Sequence, residues 1–221
     1  MPVNREAYLH LVSELRPKNV TLVAVSKTKP VEDIKELYDL GQRDFGENYV
    51  QELTNKQAQL PGDIRWHFIG HLQTNKVKFI APFVQLIHAV DSLKLLREIN
   101  KQAEKNKRVI DCLLQIHIAQ EETKFGFSKK ELEDLFNTNL NELHELKNVN
   151  ILGLMGMASL TDDMNKVKKE FSYLKSLFEQ GKAKFSILSM GMTSDYKIAI
   201  EEGSNMVRIG SLIFGEREKK N

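Results

Sequence analysis

Short apolar runs alternate with longer amphipathic stretches along almost the whole chain. Residues 5–16 place Tyr8, Leu11, Val12 and Leu15 on one face at helical spacing, and Pro17 stops that helix. Residues 20–25 then carry apolar side chains at both parities, the mark of a strand covered on both faces in a parallel sheet. Pro30 opens a helix to Leu40, with Val31, Ile34, Leu37 and Tyr38 inward, and Gly41 ends it. The pairing then repeats: strand 43–45 with helix 49–58, strand 64–69 with helix 75–80, and strand 83–90 with helix 93–106, capped by Asp91 and Ser92. Strand 109–118 precedes helical stretches from Lys129 to Leu146, with Ser128 as the cap. Strand 150–157 precedes helix 162–178, strand 185–190 precedes helix 194–201, and strand 206–209 is the last.

Strands alternating with helices predict βαβ crossovers and a parallel sheet. Eight such units predict an α/β fold, a single (β/α)8 TIM-type barrel with an additional N-terminal helix. A doubly wound open sheet is the alternative. No repeat, low-complexity stretch or linker interrupts the pattern, so one domain over residues 1–221 is expected, with the leading helix inside 1–19 and a charged tail at 216–221.

Composition narrows the function classes. The chain has 221 residues, 41% hydrophobic and 28% charged, enough for a sizeable core in a soluble protein. A formal net charge of +2, with no basic stretch interleaved with aromatics, argues against nucleic acid. The lone Cys112 permits no internal disulfide and no CxxC metal pair, and sits in an apolar run as a buried thiol. No signal-like leader and no membrane-length apolar run is present, so a cytoplasmic location is expected, with no membrane contact.

Lys27 stands where the first strand ends and its loop begins, on the rim where such folds bind ligands. A lysine partly desolvated there becomes a nucleophilic amine able to form a Schiff base with an aldehyde. A solvated rim lysine is the competing reading of that residue alone, and Lys29, just before the next helix, is the rival amine. Strand seven exits into Ser189-Met-Gly-Met-Thr-Ser-Asp195 and strand eight into Arg208-Ile-Gly-Ser211. Loops after strands seven and eight often hold phosphate in these barrels, and hydroxyls and glycines suit that task. Closure sets strand eight beside strand one, so Arg208 and this phosphate cup come next to Lys27. An aldehyde-reactive amine, an arginine and a phosphate cup describe a site for pyridoxal 5′-phosphate. Taken alone, Arg208 reads equally well as a salt-bridge partner in the barrel mouth.

Several motifs resemble one family in order along the chain. They are Ala24-Val-Ser-Lys-Thr28, Phe45-Gly-Glu-Asn48 with Gln51-Glu52, Trp66-His-Phe-Ile-Gly70 with Leu72-Gln73 and Asn75-Lys76, and Glu121-Glu-Thr-Lys-Phe-Gly126. Leu154-Met-Gly-Met157, Ser189-Met-Gly-Met192, Val207-Arg-Ile-Gly210 and Ile213-Phe-Gly215 complete the set. From about Val20 to Gly215 the chain is similar to the pyridoxal phosphate homeostasis proteins, barrels related to the N-terminal domain of bacterial alanine racemases. The resemblance implies that Lys27 carries pyridoxal 5′-phosphate as an internal aldimine and that Arg208 faces the pyridine nitrogen. It implies that Met192, Thr193, Gly210 and Ser211 hold the phosphate, with Ser189 and Gly191 shaping the cup. Met155 and Met157 match the segment near the ring, and Asn48 and His67 match positions near the rim. Thr193 and Ser211 exchange threonine and serine relative to the family pattern, and His117 stands where asparagine is expected.

A permanently cationic Arg208 beside the ring opposes protonation of its nitrogen, which disfavours chemistry through a fully developed carbanion. Racemization needs acid and base groups on both faces of a substrate carbon, and in the racemases one of them is a tyrosine from a domain this sequence lacks. The expectation is therefore a monomeric binding protein for intracellular vitamin B6 homeostasis. It buffers pyridoxal 5′-phosphate or delivers it through transient contact with apoenzymes. An amino-acid racemase-like enzyme is the alternative, and a Schiff-base aldolase or phosphosugar enzyme is a third reading.

Overall fold

The computed structural model describes residues 3–119, 125–181 and 185–215. The expected tail at 216–221, and residues 121–124 of the Glu121 motif, lie outside them. Eight parallel strands close into a barrel in sequence order: β1 (Thr21–Val25), β2 (Asp44–Glu47), β3 (Arg65–Phe68), β4 (Leu86–Val90), β5 (Ile110–Ile116), β6 (Val149–Gly156), β7 (Ile187–Ser189) and β8 (Met206–Ile209). Closure is direct: Val23 pairs with Arg208 and Ala24 with Ile209. The open-sheet alternative is thereby excluded.

The helices form the outer layer. They are α1 (Arg5–Leu15), α2 (Val31–Asp39), α3 (Val50–Gln57), α4 (Val77–Ile80), α5 (Leu93–Lys105), α6 (Lys129–Asn137), α7 (Leu140–Glu145), α8 (Met164–Gln180), α9 (Tyr196–Glu201) and α10 (Ser211–Phe214). Ser92 and Ser128 cap as expected, whereas Asp91 pairs with His71 instead of capping. Ser92 accepts from Leu95 N, and Ser128 and Glu131 form a reciprocal capping box. The short helix α10 was not foreseen; its four residues are too few for a readable period.

Two apolar clusters follow from strand alternation. The larger lies between sheet and helices and includes Leu22, Ala24, Phe45, Ile87, Val90 and Leu114. The smaller fills the barrel with Val23, Leu86, Ala89, Leu113, Met155 and Met206. Leu86 and Ala89 both belong to the interior although three residues apart, because the β4–β5 register shifts between Ile87 and Val90. Such a bulge re-aims side chains, and here it turns Ala89 inward beside His88, which shares the parity of Leu86. Strand β2 runs two residues past its expected end, so Gly46 and Glu47 belong to the sheet rather than to a loop. Strand β4 starts at Leu86, three residues later than expected. Among the described residues, no helix is long and apolar enough to cross a membrane.

Candidate functional site

Beyond Val25 the chain turns over the C-terminal rim through Ser26, Lys27 and Thr28, and a buried ionic cluster clamps the turn from below. Lys56 Nζ on α3 donates to Ser26 O at 2.7 Å, to Glu47 Oε1 at 2.7 Å and to Glu52 Oε1 at 2.6 Å. Ser26 Oγ donates to Glu47 Oε1 at 2.6 Å, and Thr28 N donates to Glu52 Oε1 at 2.5 Å. Burial pushes the Glu47 carboxyl up from its ordinary pKa, with Lys56 and Ser26 working against it. Thr28 sits at φ +65°, a conformation a β-branched residue rarely adopts. These contacts hold it there.

The turn borders a cavity of about 370 Å³ at the mouth of the barrel. Lys27 and Asn48 line one side; Met192 and Thr193, after β7, and Arg208, Gly210 and Ser211, on β8 and its exit, line the other. Ser211 Oγ donates to Thr193 Oγ1 at 3.1 Å, which ties the two hydroxyl-bearing loops together. Gly210 lets β8 pass close to β1, since a Cβ there would stand 3.0 Å from Val25 O. Asp195 Oδ1 accepts from Met192 N at 2.6 Å and fixes the β7 exit.

Arg208 is 4% exposed. Its Nη1 donates to Ser189 Oγ at 2.6 Å and its Nη2 to Gly156 O at 3.0 Å. Burial lowers its pKa to about 10, partly offset by Asp195, so it stays cationic at neutral pH. Of the two candidate amines, Lys29 lines the cavity but directs its Nζ to Phe214 O at 2.6 Å.

Four expected site residues do not line the cavity. Gly191, at φ +98°, supports the β7 exit: a Cβ there would meet Ala199 Cβ at 2.6 Å, and its carbonyl accepts from Arg208 N. Ser189 is fully buried behind Arg208. Met155 and His67 lie in the barrel interior, one layer below the mouth, where Met157 and Ile69 take the wall positions. The pairs share parity, since side chains two apart point to the same face. Parity was legible; depth was not.

A family model for the alanine racemase N-terminal domain matches residues 5–218. The chain is 43% identical over 202 residues to the pyridoxal phosphate homeostasis protein of Aquifex aeolicus, covering 89% of this chain and 87% of that one. The chain belongs to the pyridoxal phosphate homeostasis protein family. Among solved structures, the family member PipY of Synechococcus elongatus PCC7942, with PLP bound, superposes with a TM-score of 0.85 at 34% identity, over 95% of this chain and 99% of that one. The alanine racemase of Streptomyces coelicolor A3(2) shares the fold at 15% identity and TM-score 0.74, over 96% of this chain and 58% of that one.

Two residues beneath this cavity escaped sequence reasoning. Glu47 was read as loop, although the Glu52–Lys56 spacing on α3 was a usable i,i+4 signal for the third member of its cluster. His88 stood inside an apolar run, where a histidine is unusual enough to ask for a partner. That partner is Ser189, 3.1 Å from His88 Nδ1.

Proposed function

We propose that this protein binds pyridoxal 5′-phosphate in the rim cavity, holds it covalently through Lys27, and buffers or delivers it as a monomer through transient contact with apoenzymes. One observation carries the reading: an amine, a buried guanidinium and a coupled pair of hydroxyls converge on a single cavity. The donor set suits the group. Lys27 offers a nucleophile for the aldehyde, Arg208 a fixed positive charge beside the ring, and Thr193, Ser211 and the Met192 and Gly210 backbone suit the phosphate. Asn48 Oδ1 is buried at the cavity edge and makes no hydrogen bond among the described residues, so it is available to a ligand. The PLP-bound relative and the family name point the same way.

When bound, the cofactor supplies an electrophilic aldehyde and an electron-withdrawing ring. Lys27 would hold the cofactor through that aldehyde, with release of one water on binding and its uptake on handover. Arg208 donates but does not accept, so it gives the ring no proton acceptor. Among the described residues, the cavity wall bears no carboxylate, imidazole or phenol; its ionisable groups are Lys27, Lys29 and Arg208. That inventory favours holding over proton transfer at a substrate carbon.

Borohydride reduction after incubation with pyridoxal 5′-phosphate, followed by peptide mapping, tests the assignment. A pyridoxyl adduct on the Lys27 peptide, lost in Lys27→Ala, is expected. A label on Lys29 alone would overturn it. Rapid exchange of an amino acid's α-proton with solvent, dependent on Lys27, would favour the racemase-like reading instead.

A further inference from the structure

Arg208 is one end of a hydrogen-bonded line that runs through the barrel interior. Ser189 Oγ, 2.6 Å from Arg208 Nη1, lies 3.1 Å from His88 Nδ1. His88 Nε2 lies 2.9 Å from His67 Nδ1, and His67 Nε2 lies 3.0 Å from Asp44 Oδ1. Arg65 closes the far end on Asp44, Nε at 2.7 Å and Nη2 at 2.5 Å. Ser189 and His88 are completely buried and His67 nearly so.

With both imidazoles neutral, donor chemistry sets the direction of every hydrogen in this line. A guanidinium only donates and a carboxylate only accepts. Burial disfavours the Asp44 carboxylate, but Arg65 and His67 overcome it and hold its pKa at about 2. Asp44 takes the hydrogen of His67 Nε2, and in the neutral form of that ring Nδ1 is then the acceptor. His88 Nε2–H fills that acceptor, and His88 Nδ1 then takes the Ser189 hydroxyl hydrogen. The Ser189 oxygen is left to accept from Arg208. Burial first, with the Arg208 charge nearby, disfavours a proton on His88, as this arrangement requires. With both rings neutral, this is the one arrangement that makes every bond.

Such layers are ordinarily filled by aliphatic side chains, and burying two imidazoles and a hydroxyl is costly unless all are paired. The line ends on the one buried cation that lines the cavity. We propose that His88 and His67 are positioning residues for Arg208: acting through Ser189, they fix the guanidinium so that it presents one constant edge to the ligand. The identity of that ligand rests on the proposed function; the line itself does not.

Nitrogen-15 NMR of the cofactor-free protein tests the line directly. His88 is expected to be protonated at Nε2 and bare at Nδ1, and the opposite tautomer would overturn the proposal. Titration with pyridoxal 5′-phosphate, followed by absorbance, tests the consequence. His88→Leu is expected to weaken binding about tenfold, as loss of a buried hydrogen-bond partner does, and to shift the absorption band of the bound ligand. His88→Asn, whose amide oxygen reproduces Nδ1, should recover most of the affinity. His88→Gln, which reproduces only the bond toward His67, should not; it replaces His88→Leu if that variant fails to fold. In an Arg208→Met background the His88 substitution should have no further effect. Additive losses, or unchanged affinity and spectrum in His88→Leu, would overturn the proposal. If the unmodified protein takes up no pyridoxal 5′-phosphate, the proposed function fails while the nitrogen shifts still decide the line.

Discussion

Thr28 shows how a single residue's backbone serves the lysine before it. Its φ of +65° turns the chain so that Lys27 borders the cavity while Lys29 reaches Phe214 O. A β-branched residue there carries strain on the order of 1 kcal/mol or more. Thr28→Gly is therefore expected to raise the melting temperature by roughly 2–4 °C, the shift that about 1 kcal/mol makes in a chain of this size. Differential scanning calorimetry checks it, and a lower melting temperature would show that the turn is not strained. The two methionines of Leu154-Met-Gly-Met157 make a related point. Met155 is fully buried in the barrel and Met157 lines the cavity, though both point inward.

At the scale of elements, the rim turn depends on helix α3 as much as on strand β1. Lys56 bridges Glu47, Glu52 and the Ser26 carbonyl with its side chain buried, so its charge is used three ways. Removing one partner of a buried ion pair leaves the other uncompensated, at a cost of about 3 kcal/mol or more. Lys56→Met should lower the melting temperature by roughly 6–12 °C. Glu47→Gln added to it should recover part of that loss, because the orphaned carboxylate is then gone. Thermal melts of the two single variants and the double decide the matter, and strict additivity would mean that the pair is not coupled. The Glu52–Lys56 spacing at i,i+4 is written in the sequence, but the third partner is not. Glu47 becomes a buried strand residue only because β2 pairs with β3 out to Phe68.

For the whole molecule, two ionisations tie barrel stability to pH in the same direction. Asp44 has a folded pKa of about 2 against an ordinary 3.8, so it stabilises the fold above that ordinary value. Its contribution, about 2 kcal/mol, is lost as pH falls from 4 toward 2. His88 is held below its ordinary 6.5 by burial first, then by His67 and Arg208. Below pH 6.5 the unfolded chain takes up a proton at this residue and the native barrel does not, so stability falls with acidification by up to about 1.4 kcal/mol per pH unit. Urea unfolding between pH 7.5 and pH 5 should show that slope, and His88→Asn should flatten it whatever its absolute stability. An unchanged slope in the variant would mean that His88 is not buried neutral.

The amino-acid sequence by itself determined the eight strands and the helices between them, the parallel sheet, the leading helix and the rim position of Lys27. These follow from local periodicity, proline and glycine punctuation and capping residues, all written within a few residues of where they act. It also placed the Thr193 and Ser211 hydroxyls on the loops after strands seven and eight, because that pairing depends on chain order alone. Only the tertiary structure decided depth. Alternation tells which face of a strand a side chain takes, but the stagger of a closed barrel tells which layer it occupies, and so His67 and Met155 lie beneath the mouth that Ile69 and Met157 reach. His88, inward by the same alternation as Leu86, likewise meets Ser189 from a strand 101 residues away in sequence. No local pattern encodes that contact, because it exists only once the barrel has closed.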